Sequence, residues 1–155
     1  MPREHRQKIM PTNVHHIPAG FHAITPYFIV NDAPRFVAFM KEVFGAEEIS
    51  RFAEPGGRIH HASLRIEDSM IELSDGSPAY PAMPLSLHLY VPDVDATYAR
   101  ALKAGGVSKS GPIDHFYGER GADIEDPCGN RWFIATHVED ISDEELARRA
   151  AAQGA

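Results

Sequence analysis

Hydrophobic and polar positions along the chain fall into two successive passages of the same kind. Ile24 to Val30 (ITPYFIV) is rich in β-branched and aromatic residues and predicts a strand. Asn31 or Asp32 can cap a following helix, with Pro34 in its first turn. Phe36, Phe39, Met40 and Val43 recur at the spacing of a helix face turned to a core, and Gly45 stops that helix. Glu47 to Phe52 resumes an extended pattern, and Glu54-Pro55-Gly56-Gly57 predicts a turn. Ile59 to Ile66 and Met70 to Ser74 predict a hairpin across Glu67-Asp68-Ser69, and the proline-rich stretch Asp75 to Pro84 a connector.

The same order then returns. Leu85 to Val91 predicts a strand, and Asp93 or Asp95 caps a helix whose buried face is Val94, Tyr98, Ala101 and Leu102. Gly105-Gly106 ends it. Extended segments follow at Val107 to Lys109, Arg120 to Glu125 and Arg131 to His137, with Asp126-Pro127-Cys128-Gly129 as the last hairpin turn. Val30, Asp32, Ala38 and Gly45 match Val91, Asp93, Ala99 and Gly106 at an offset of 61, and Ile66-Glu67-Asp68 recurs as Ile124-Glu125-Asp126 at an offset of 58. Shared order and offset predict a duplicated βαβββ unit in one compact domain. That domain is expected over about residues 21–140, with modules near 22–75 and 85–138, after a flexible leader (1–20) and before a helical tail (141–155). Ser142 with Glu145 three residues on is a capping box for the tail helix.

Composition narrows the function classes. At 155 residues, 43% hydrophobic and 24% charged, the chain is an ordinary globular domain that needs no staples to fold. The single Cys128 excludes an internal disulfide framework or a Cys-rich zinc module, and no neighbouring His-Asp pair marks it as a nucleophile. A net charge of -7 argues against a general nucleic-acid binder. No apolar run approaches the length of a membrane span, and Met1 to Gly20 lacks the apolar stretch of a secretory signal, so the cytoplasm is the expected compartment. No Gly-rich phosphate loop, HExxH or GxSxG occurs. Nine histidines raise the question of a metal or an acid-base site.

TPYFIVNDAPRFVAFMKEVFGAEE in the first half, then FYGERGADIEDPCGNRW and ATHVED in the second, resemble the vicinal oxygen chelate superfamily of glyoxalases, bleomycin-resistance proteins and ring-cleaving dioxygenases. Within it the chain looks most like the PhnB-like branch. The resemblance covers about residues 22 to 150. It implies an α+β fold in which two paired βαβββ modules form a glyoxalase-like U-shaped cavity, a small-molecule ligand and a homodimer. It also implies four metal-ligand positions, which fall here at Thr25, Glu72, Ser86 and Phe133. Of these only Glu72 is a good ligand type.

With Glu72 and Thr25 facing the implied cavity, strand alternation turns Tyr27, His61, Ser63, Arg65 and Met70 inward from the first module. From the second it turns in Ser86, His88, Tyr90, Glu119, Gly121, Asp123, Arg131, Phe133, Ala135 and His137. So polar a face points to a solvated functional pocket. His61, Glu72 and His88 are the candidate catalytic residues and the candidate ligands of a displaced divalent metal; the rival is Glu72 paired with Arg65 or a histidine. Tyr27, Arg65, Tyr90, Phe116, Tyr117, Arg120 and Phe133 are the candidate ligand-binding residues, with Arg120 able to hold an anion or to pair with Glu119 or Asp126. Two functions remain open. One is an enzyme acting on a small oxygenated or anionic metabolite, with Glu72 as base or retained metal ligand. The other is a non-catalytic protein that sequesters a small molecule or antibiotic between its aromatic rings.

Overall fold

The computed structural model describes residues 13–154. Its elements run β1 (Tyr27–Val30), α1 (Ala33–Phe44), β2 (Glu47–Ala53), β3 (Ile59–Ile66), β4 (Ser69–Asp75), β5 (Ser86–Tyr90), α2 (Val94–Lys103), β6 (Val107–His115), β7 (Glu119–Glu125), β8 (Arg131–His137) and α3 (Asp143–Gln153). They build two four-stranded mixed sheets, ordered β1-β4-β3-β2 and β5-β8-β7-β6. Each is the βαβββ unit read from the sequence, with its first strand parallel to its last. The fold is α+β and glyoxalase-like.

Asp32 caps α1, its carboxylate accepting from the Arg35 N–H at 3.2 Å, and Asp93 caps α2 in the same way through Ala96 at 3.0 Å. Gly45 closes α1 at φ +66°, the left-handed conformation that glycine adopts without penalty. Asp75 ends β4 and ties the module together: its two oxygens accept the Ala33 and Ile59 N–H groups, each at 2.8 Å.

One core serves both modules. Phe36 and Met40 of α1 and Phe28, Leu64 and Leu73 of the sheet beneath it are fully buried. Trp132 of β8 stacks on Phe28 with ring centroids 5.6 Å apart and meets Phe44 at 4.9 Å, so the second module's tryptophan fills the first module's core. Burying each such side chain contributes about 1.5–3 kcal/mol. Asp126, buried at the β7–β8 turn, accepts from the Cys128 and Asn130 N–H groups, the Asn130 amide and the Trp132 indole N–H, and so fixes that tryptophan.

Three elements differ from expectation. β1 begins at Tyr27 rather than Ile24, because Pro26 cannot donate to a ladder and Ile24 is left 88% exposed. β6 runs on to His115 instead of stopping at Lys109; a register shift between Ser110 and Ile113 absorbs the Gly111-Pro112 pair. The connector carries an unanticipated anchor, Met83 bridging Ile29 of β1. The first twelve residues of the leader lie outside the described residues, and residues 13–20 form turns. Ser142 caps α3 as expected, but Glu145 turns to Arg148 and Arg149 instead of back to Ser142. Among the described residues no helix is long and apolar enough to cross a membrane.

Candidate functional site

Alternation along each strand gives every sheet a helix-covered face and an open face, and the open faces carry the polar residues. On the first sheet Tyr27 stands beside Glu72 in register, and His61 reaches Glu72 diagonally from β3, Nε2 to Oε1 at 3.1 Å. The Tyr27 and His61 rings lie 6.2 Å apart. Glu72 also borders a cavity of about 290 Å³ whose opposite wall includes His16 and His22, with Thr25 beside it. Arg65 shares this face but is engaged by Glu47 at the exposed end.

On the second sheet Glu119 is the convergence point. Its side chain is only 13% exposed, it accepts the Tyr90 hydroxyl at 2.8 Å, and His88 Nε2 lies 3.7 Å from its other oxygen. The His88 and Tyr90 rings are 4.7 Å apart. His115 stacks on Tyr117 at 4.9 Å and 11°. Gly121 makes room for that ring, since a Cβ there would sit 3.2 Å from His115 Nε2. His88, His115, Tyr117, Glu119 and Phe133 line a cavity of about 280 Å³, with Tyr90 outside its walls. The hydrogen bond to Glu119 pushes the Tyr90 hydroxyl above its ordinary pKa, and burial followed by the Glu119 charge does the same to Tyr117. Both phenols therefore remain donors across the physiological range. Asp123, facing the same cavity, is neutralised by Arg131, whose guanidinium lies 5.7 Å from the Phe133 ring centre. The arrangement can bind a flat, oxygen-bearing molecule against aromatic walls and exchange protons with it through a carboxylate-imidazole pair.

Several sequence-predicted roles change. His61 and Glu72 meet, but His88 lies on the other sheet, where its nearest carboxylate is Glu119 at 3.7 Å. Among the described residues no group of three or more His, Cys, Asp or Glu side chains could hold a metal ion. The implied ligand positions do not fit one either. Thr25 spends its hydroxyl on the His22 carbonyl, Phe133 has no donor atom, and Glu72 is engaged by His61. Arg120 points away from the cavity, because β7 alternation puts it opposite Glu119; there Asp95 holds it bidentately and Asp114 adds a third contact. Phe116 lies edge-on to Tyr117 and does not line the cavity; its carbonyl accepts from Arg149. Tyr27, Tyr90, Tyr117 and Phe133 do lie on the open faces. His115 was hidden by Gly111-Pro112, which reads as a loop. His16 and His22 carried no sequence signal linking them to Glu72.

A family model described as the Glyoxalase/Bleomycin resistance protein/Dioxygenase superfamily matches residues 14–134. An uncharacterised protein of Mycobacterium tuberculosis is 31% identical over 143 residues, covering 85% of this chain and 84% of the relative. Among solved structures, TioX from Micromonospora sp. ML1 has a TM-score of 0.64 at 23% identity, covering 74% of this chain and 98% of that one. The fosfomycin resistance protein FosX from Mesorhizobium loti has a TM-score of 0.57 at 19% identity, covering 81% and 97%. Both structures speak to fold alone.

Proposed function

Because this chain belongs to the glyoxalase/bleomycin resistance protein/dioxygenase superfamily, we propose that it binds a small oxygenated molecule on its open sheet faces and acts on it by proton transfer. The observation that carries this reading is Glu119 and His88 lining a cavity walled by Tyr117 and Phe133, with the Tyr90 hydroxyl donating to Glu119 from its rim. Glu119 serves as base, held in place by the Tyr90 hydroxyl, and His88 as its acid partner. His61 and Glu72 form a second such pair on the first sheet. The arginines Arg65, Arg120 and Arg131 are each taken by a carboxylate, which favours a neutral ligand over an anionic one in the second-sheet cavity. We place the chain in the PhnB-like branch on its TPY, FGAEE and DPCGNRW motifs, and in the cytoplasm. It acts as a homodimer, a second copy covering the exposed Phe52, Tyr90 and Phe133.

The stacked His115 and Tyr117, lining the same cavity as Phe133, favour a second reading, sequestration of a planar compound without turnover. A thermal-shift screen of neutral oxygenated metabolites decides both. A hit raises Tm by mass action, and Glu119→Gln and His88→Ala lose that shift. Following the hit by NMR in the presence of protein separates the readings: conversion supports catalysis, an unchanged ligand supports sequestration. Hits that bind both variants as well as the parent contradict the site.

A further inference from the structure

We propose a second binding site, for a small aromatic carboxylate, at the outer end of the first sheet, between β1 and the connector that follows β4 and sharing Tyr27 with the Glu72–His61 face. A cavity of about 540 Å³ lies there, with Tyr27, Ile29, Arg58, His60 and Tyr80 among its walls. Arg58 precedes β3 and supplies the charge. Among the described residues its guanidinium has no carboxylate partner, and its hydrogen bond runs from Nη2 to the Gly76 carbonyl at 3.0 Å. Arg51, Arg65, Arg120, Arg131, Arg148 and Arg149 each pair with an acidic side chain, whereas among the described residues Arg35 and Arg100, like Arg58, do not; of these three only Arg58 lines this cavity. The fork of Arg58 that Gly76 does not use matches the two oxygens of a carboxylate.

The acidic groups nearby are already committed. Both Asp75 oxygens accept backbone N–H groups, one of them at the start of α1, where the helix dipole favours negative charge. Glu54 has His60 Nε2 at 2.9 Å. The residual Asp75 charge still disfavours a dianion, which selects a monocarboxylate over a phosphate. Tyr27, Tyr80 and Ile29 make the wall aromatic and apolar, suited to a ring lying flat between phenols. Tyr80 is 70% exposed, on a connector held in shape by the mutual Ser77 and Tyr80 backbone hydrogen bonds, so it stands ready to cover a ligand rather than fill the core.

The probe is benzoate, titrated by NMR into the full chain at neutral pH, with cyclohexanol and inorganic phosphate as controls. Benzoate binds saturably with shifts at Tyr27 and Tyr80. Arg58→Gln weakens it at least tenfold, as loss of a charge-assisted bidentate pair requires. Tyr80→Ala weakens it independently, and Glu119→Gln leaves it intact. Arg58 and Tyr80 are exposed, so both variants keep the fold. Absence of saturable benzoate binding, equal affinity in Arg58→Gln, or phosphate binding as tightly as benzoate overturns the proposal.

Discussion

At the scale of single residues, Asp126 shows how much one buried carboxylate can organise. It satisfies two backbone N–H groups, an amide and the Trp132 indole at 2.8 Å, all without a cationic partner. Asp126→Asn turns one acceptor into a donor facing other donors, and we expect a loss of about 2–3 kcal/mol in urea denaturation. Cys128 beside it is half-buried, and burial with the Asp126 charge pushes its thiol up to about 12. Its reaction with a disulfide reagent at pH 8 is therefore expected to be much slower than that of a free thiol until the protein unfolds. What could be read at this scale followed strand alternation. His61 beside Glu72 was among the expected pairings because both fall on one face. The same rule turns Arg120 outward, since its neighbour Glu119 faces the cavity, and so away from the ligand role its charge suggests. His16 and His22 were invisible, because irregular turns carry no periodicity.

At the scale of elements, the strands and both core helices could be read from spacing, and the exceptions have physical causes. A bulge carried β6 through Gly111-Pro112, and Pro26 shortened β1. Helix α3 buries none of its residues and is held instead by charge. Arg149 spans Glu139, Glu145 and the Phe116 carbonyl, bracing the β6–β7 turn that carries Tyr117 and Glu119. Arg148, then Arg149, hold the Glu145 carboxyl down to about 2. A carboxyl lowered in the fold stabilises it above its ordinary value near 4.5, and that contribution disappears as pH falls toward 2. We therefore expect the far-ultraviolet helical signal of α3 to persist at pH 5 and to fall between pH 4.5 and 2, as judged against a chain truncated after residue 141. Arg149→Met is expected to make the tail a preferred protease site at neutral pH; protection equal to the parent would show that α3 is held by other contacts.

At the scale of the whole molecule, the duplication could be read because offsets of 61 and 58 survive in glycines, aspartates and strand ends. The join between modules follows from Trp132, whose indole crosses into the first core. The division of labour between the two open faces could not be read, since it depends on which strand of each sheet brings its histidine beside a carboxylate. Each face exposes aromatic surface that a second copy would cover, so sedimentation equilibrium is expected to report twice the mass of one chain. The most direct test of the central claim is a crystal structure of the protein with a bound hit from the thermal-shift screen. The account predicts the ligand against Tyr117 and Phe133, within hydrogen-bond distance of Glu119 or His88. A ligand seated elsewhere, with that cavity holding only water, would contradict it.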